Sequence, residues 1–178
     1  MSGSPGHDHV GAPGPRVVAI GGGHGLAASL RAVRTYTERV TAVVTVADDG
    51  GSTGRLRAAA DRPAPGDLRK CLVALASPDA SLARAMQHRF DAGELDGHAL
   101  GNLLIVAMSE TEGGLLPALD EIGRLLGGVG RVLPASTDGV ELRAVANSGD
   151  HVAGQVAVSA RADVCTVEVS PADATACP

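Results

Sequence analysis

Apolar residues recur along this chain in two rhythms, and the change from one to the other predicts its elements. Val17, Val18, Ala19 and Ile20 form a short apolar block rich in β-branched side chains, the composition of a buried strand. The block runs into Gly21, Gly22, Gly23 and Gly25, interrupted by His24; Leu26, Leu30 and Val33 then fall at helical spacing with Arg31 and Arg34 turned away. A second strand-like run covers residues 40–46. Strand, glycine turn, helix and strand in that order make a parallel unit with a right-handed crossover. Leu68, Leu72 and Leu75 line a further helix after the rigid connector Pro63-Ala64-Pro65-Gly66-Asp67, whose Asp67 is placed to cap it. Residues 81–90 read as a helix broken by Ala92-Gly93-Glu94, residues 97–108 as a buried helix, and residues 115–126 as an amphipathic helix ended by Gly127-Gly128. Beyond it the rhythm shortens: residues 129–133, 140–146, 152–160 and 164–169 read as strands, the middle two forming a hairpin around Ser148-Gly149-Asp150. The predicted fold class is α/β, a Rossmann-like, doubly wound, mostly parallel sheet with a small antiparallel extension.

Composition narrows the picture. The chain has 178 residues, of which 44% are hydrophobic, so one domain over residues 16–178 is expected behind a Gly- and Pro-rich disordered tail, residues 1–15. His7 and His9 in that tail read as solvated. Tyr36 and Phe90 are its two aromatic residues, which leaves no base-stacking platform, and a net charge of −5 argues against bulk nucleic-acid binding. Cys71, Cys165 and Cys177 are too few and too scattered for a disulfide framework or a zinc pattern, and Cys71 falls beside a core face. No stretch has the length of a membrane span, and the first residues lack the pattern of a signal peptide, so a reducing cytoplasm is the expected location.

The candidate chemistry gathers at strand ends. Gly23-His24-Gly25-Leu26-Ala27-Ala28 fits G-x-G-x-x-A after a strand, so amides of residues 21–25 and the start of a helix are placed to hold a phosphate. Asp48 and Asp49 follow the second strand at about the spacing where an acid meets a ribose hydroxyl. The loop continues through Gly50, Arg55 and Arg57, a mixture that suits phosphate and metal together or, alternatively, an ordinary polar loop. Arg69 falls near the start of the next helix and can turn toward the same pocket. His98 and Asn102 lie four apart, hence on one face of the predicted buried helix, as a satisfied cap or as ligands; Gly101 between them permits close approach.

The glycine turn, Val46-Ala47-Asp48-Asp49-Gly50-Gly51-Ser52-Thr53-Gly54-Arg55-Leu56-Arg57, Pro65-Gly66-Asp67-Leu68-Arg69, Arg89-Phe90 and Gly97-His98-Ala99-Leu100-Gly101-Asn102 stand together in order. This series resembles the YvcK, or gluconeogenesis factor, family within the wider CofD-like group, over the amino-terminal half of that family's length. The resemblance implies a cytoplasmic Rossmann-like protein that binds a nucleotide sugar, UDP-N-acetylglucosamine, and acts as a regulator of growth on gluconeogenic carbon sources and of cell shape. A homodimer and a regulatory protein partner are compatible with it; nucleic acid and membrane are not expected. By the resemblance, Gly21, Gly22, Gly23, His24 and Gly25 hold the diphosphate, with Asp48, Asp49, Gly50, Arg55, Arg69, His98 and Asn102 as further contacts. The alternative is a CofD-like transferase of the 2-phospho-L-lactate type, in which Asp48 and Asp49 hold Mg²⁺ and Asp48 or His98 is the catalytic group. His24 stands where many members carry Thr. The family continues beyond the length of this chain with another Gly- and Ser-rich loop, so a carboxy-terminally truncated domain is expected.

Overall fold

The computed structural model describes residues 14–49 and 63–177; Gly50, Arg55 and Arg57 lie outside the described residues, as does the tail over residues 1–13. The elements in order are β1 (Val17–Gly21), α1 (Gly23–Val33), β2 (Val40–Val44), α2 (Pro65–Leu75), α3 (Ser81–Gln87), α4 (Leu100–Thr111), α5 (Leu115–Leu125), β3 (Arg131–Pro134), β4 (Glu141–Ala146), β5 (His151–Ala153), α6 (Gln155–Ser159) and β6 (Val164–Ser170). Strands β1, β2 and β3 form a parallel sheet in that spatial order, with Val17 opposite Val40 and Thr41 opposite Arg131. The antiparallel strands form a separate sheet, ordered β5-β4-β6, rather than an extension of the first.

Alternation along β2 explains the layering. Val40, Ala42 and Val44 are buried on one face of the parallel sheet, with Val132 beside them on β3. Leu26 and Leu30 of α1, Leu68, Leu72 and Leu75 of α2, and Leu119 and Ile122 of α5 close over that face as one apolar cluster. Pro65 starts α2 at a position where its missing N–H costs nothing. Arg34, at the end of α1, donates from Nη1 to the carbonyls of Ala74 (3.2 Å) and Ala76, orphan acceptors at the end of α2. The same pairing fixes the two helices that carry the site described below.

Three local expectations change. The helix over residues 81–90 ends at Gln87, because Arg89 bridges to Ala99 and Phe90 N–H donates to the His98 carbonyl, 3.0 Å away. The following helix accordingly begins at Leu100 rather than at residue 97, and it buries Gly101, Asn102 and Ile105 while Ala107 and Glu110 face outward. Residues 152–160 are not one strand: Gly154, at φ 94°, turns the chain out of β5 and into the short helix α6. Valine-rich segments of this length satisfy either periodicity, and the glycine decides between them.

Candidate functional site

The carboxyl ends of β1 and β2 meet at a cleft, and the glycine turn forms its floor. Gly22 is extended and Gly23, at φ 63°, opens α1. A Cβ on Gly22 would crowd Thr45 Oγ1 and lie 2.7 Å from Asp67 Oδ2, so a larger residue here would displace both side chains from the cleft floor. No acidic residue occupies the first turn of α1. Its first N–H is satisfied from a distance instead: Gly23 N–H donates to Asp67 Oδ2. Asp67 sits in the first turn of α2, 8% exposed, and its Oδ1 accepts from Lys70 Nζ at 2.8 Å. One carboxylate therefore fastens the start of α1 to the start of α2, where the helix dipole favours negative charge. Ala64 is the residue preceding α2, so the capping expected of Asp67 operates on the neighbouring helix rather than its own.

The cleft has a volume of about 600 Å³ and is lined by Gly22, Gly23, Thr45, Ala47, Asp48, Asp67, Lys70, Leu142, Gln155 and Val169. Its floor is polar and its far wall apolar, since Leu142 and Val169 face each other across the β4–β6 pair. The wall is tied to the floor by Asp49, whose Oδ1 accepts from Val156 N–H at 3.0 Å in the first turn of α6. This bond brings the separate antiparallel sheet over the ends of the parallel one.

Of the residues expected at a site, Gly22, Gly23 and Asp48 line the cleft, and Gly21 leads into it with its carbonyl accepting from Thr45 N–H at 2.8 Å. His24 and Gly25 are exposed on α1 and are not part of the lining; a Cβ on Gly25 would meet nothing within 4 Å. Asp48 and Asp49 separate, the first lining the cleft and the second binding α6, so the carboxylates that share the cavity are Asp48 and Asp67. Among the described residues no group of three or more His, Cys, Asp or Glu is arranged to hold a metal.

Arg69, His98 and Asn102 sit elsewhere. Arg69 is buried in the crease between α2, α3 and α4, with Nη1 3.4 Å from the Met86 carbonyl. Its aliphatic stem crosses Gly101, where an added Cβ would lie 2.7 Å from Arg69 Cδ. Burial and the neighbouring Arg89 guanidinium lower its pKa from the usual arginine value. His98 lies in the hairpin before α4, its N–H donating to the Leu95 carbonyl at 2.8 Å, while Asn102 is buried in the first turn of that helix. The shared helical face predicted for them does not form, because His98 is outside the helix. The cation of the described cleft lining is Lys70, which the sequence reading missed; its signal is the i, i+3 pair Asp67 and Lys70. Thr45, Leu142, Gln155 and Val169 were equally missed.

A family model described as 2-phospho-L-lactate transferase CofD matches residues 17–178. A gluconeogenesis factor of Halalkalibacterium halodurans is 44% identical over 143 residues, which cover 80% of this chain and 44% of that protein. A provisionally named gluconeogenesis factor of Deinococcus radiodurans is 50% identical over 143 residues, covering 80% of this chain and 30% of the other. The crystal structure of a Bacillus halodurans protein superposes with a TM-score of 0.84 at 40% identity, over 90% of this chain and 52% of its own. The chain thus spans between 30% and 44% of the length of these two curated relatives. Among the described residues no helix is long and apolar enough to cross a membrane.

Proposed function

Because the chain belongs to the CofD family, we propose that its cleft binds a nucleotide sugar of the UDP-N-acetylglucosamine kind, as the sensing half of a regulator of gluconeogenic growth and cell shape. The observation that carries this reading is the pairing, in one cavity of about 600 Å³, of a glycine-turn floor and Lys70 with an apolar wall of Leu142 and Val169. That volume falls in the range of small-molecule sites. The diphosphate faces the Gly22-Gly23 turn and Lys70, and the less polar part of the ligand lies against the wall. Asp67 already accepts from Gly23 N–H, so an arriving phosphate meets a carboxylate as well as donors. A divalent cation fits this donor set, since Mg²⁺ takes one or two carboxylates and lets substrate phosphates supply further ligands. Asp48 and Asp67 would hold it, and when bound it would neutralise the charge between carboxylate and phosphate.

A second reading, a metal-assisted transferase acting on a nucleotide-linked donor, is favoured by the same two carboxylates and by the description of the matching family model. Thermal unfolding of this chain and of the intact Halalkalibacterium relative, with UDP-N-acetylglucosamine, GDP or NAD and with or without Mg²⁺, separates the possibilities. Ligand at a hundred times its Kd stabilises the native state by about 2.7 kcal/mol. The uridine sugar is expected to give the largest shift, reduced by Lys70→Ala. No shift with it in either protein refutes the first reading, whereas Mg²⁺-dependent turnover lost in Asp48→Asn selects the second.

A further inference from the structure

Helix α5 ends in glycines. Gly127 takes φ 56° and the chain folds back, so that Gly127 N–H donates to the Arg124 carbonyl and Gly128 N–H to the Gly123 carbonyl, each at 3.0 Å. In this Schellman ending an apolar side chain on the residue after the left-handed glycine commonly packs against the last turn of the helix, on or beside the residue whose carbonyl it caps. Here both residues of the capping pair, Gly128 and Gly123, lack a side chain. A Cβ on Gly123 would meet only Leu72 Cδ2, 3.9 Å away, whereas Gly101 of α4 is crossed by the Arg69 stem. Glycine is a poor helix former, and no close neighbour of Gly123 requires it.

The missing contact leaves a cavity of about 250 Å³ between α2, α5 and β3. Leu72, Leu75, Leu119 and Val132 line it, all buried, so its floor is hydrocarbon. Backbone polar groups nearby are spent on one another: the Leu75 carbonyl accepts from Val129 N–H and the Leu126 carbonyl from Ser77 N–H, both at 3.0 Å. A buried water needs several polar partners, and the leucine side chains supply none. The rim is polar, carrying Asp120, Arg124 and Arg131. Arg131 donates from Nε and Nη2 to the two Asp120 oxygens, at 2.8 and 2.6 Å, and Arg124 donates from the same pair of nitrogens to Glu121. The carboxylates of the rim are therefore engaged, while each guanidinium keeps an Nη1 with no acceptor among the described residues.

We propose that this cavity binds a small organic acid, with a branched aliphatic or single-ring body on the leucine floor and a carboxylate received by Nη1 of Arg124 and Arg131. The body supplies the apolar contact that the two glycines omit. An engineered apolar cavity of about 150 Å³ admits benzene, so this one has room for a body of that size. Charge-assisted hydrogen bonds from the guanidinium groups fix the acid end, and neither ion pair of the rim has to open, since Nη1 takes no part in them. The cavity is separate from the cleft: α2 turns Asp67 and Lys70 to the cleft near its start and Leu72 and Leu75 to this cavity near its end. The proposal therefore does not rest on the nucleotide reading.

The test is methyl NMR of the full chain titrated with 4-methylpentanoate and, separately, with its uncharged amide. The acid is expected to shift the methyl signals of Leu72, Leu75, Leu119 and Val132 saturably, with a Kd of about 1 mM or below, while those of Leu142 and Val169 in the cleft stay in place. The amide is expected to bind about tenfold more weakly or worse, and Arg124→Gln combined with Arg131→Gln, both at exposed positions, to bring the acid down to the amide. Gly123→Leu fills the cavity from within α5 and is expected to abolish the shifts. Intermolecular NOEs from the acid to Leu72 and Leu119 in the unaltered chain locate the ligand even if that variant fails to fold. No saturable shift up to about 10 mM acid overturns the proposal, as do equal affinities for acid and amide, shifts retained in folded Gly123→Leu, or NOEs confined to other residues.

Discussion

Replacing Asp67 by alanine is the most informative single perturbation of this structure. The substitution removes the charged acceptor of Gly23 N–H and the partner of Lys70, and it leaves the first amide of α1 without its carboxylate. A hydrogen bond to a charged group contributes about 1.5–3 kcal/mol net. The ion pair joins side chains 26% and 11% exposed, so solvent screening limits it to about 1 kcal/mol at most. The expected destabilisation is therefore about 2–4 kcal/mol, a large fraction of the roughly 5–15 kcal/mol that holds a domain folded. Asp67→Asn keeps an acceptor for Gly23 and loses the charge, and its expected cost is about half as large. Urea unfolding followed by far-UV circular dichroism reads both as shifts of the midpoint at constant slope. Lys70→Ala should cost no more than about 1 kcal/mol, and the double variant should show coupling, because the two groups share one bond. If Asp67→Ala and Asp67→Asn both lie within about 0.5 kcal/mol of the parent, the carboxylate does not fasten the two helices and the account of the cleft floor fails.

Glycines of the same composition class should respond in opposite directions. Gly101→Ala places a Cβ 2.8 Å from the Met86 carbonyl as well as against the buried Arg69 stem, and should destabilise by about 1–3 kcal/mol in the same urea titration. Gly25→Ala meets nothing and lies within a helix, so it should stabilise by about 0.4–1 kcal/mol; a loss there would contradict the open surroundings of α1. Burial pushes the Cys71 thiol up to about 12, with the nearby Asp67 carboxylate acting in the same direction. The unfolded thiol titrates near ~8.5, so above that pH the unfolded chain releases a proton that the folded chain keeps. Stability is thus fully present below about pH 8.5 and falls by about 1.4 kcal/mol per pH unit as pH rises toward the folded value. Urea midpoints at successive pH values should show this slope in the parent and lose it in Cys71→Ala; equal slopes would refute the assignment.

Sequence patterning reached the elements whose periodicity was long and whose ends were marked by glycine or proline. The β1, glycine turn, α1, β2 unit and helices α2 and α5 appear where the spacing predicted them, because a single face of Leu, Val and Ala is enough to define each. It failed at residues 88–99, where the hairpin of Arg89 with Ala99 depends on a pairing between segments, and at residues 152–160, where Gly154 overrides a valine-rich run. The site was legible in the same proportion. Gly22, Gly23 and Asp48 are local to strand ends, and the fold places them together along the cleft; Arg69 lies elsewhere, because nothing in one dimension shows that its stem crosses Gly101.

By itself the sequence determined an α/β chain with a glycine turn between its first strand and helix, since strand and helix periods and the tolerance of glycine for φ 63° at residue 23 are properties of neighbouring residues. Tertiary structure alone decided that Asp67 serves α1 instead of α2, that Lys70 and not Arg69 lines the cleft, and that β4 and β6 wall it. It also decided that Ile20, Val43 and Leu133 form one row on the face of the parallel sheet opposite the buried Val40, Ala42 and Val44. These are contacts between residues 20 to more than 100 positions apart, for example the 44 separating Gly23 from Asp67 and the 107 separating Asp49 from Val156. Side-chain period fixes which way a residue faces, whereas the neighbour it meets there is set only when the chain folds back on itself.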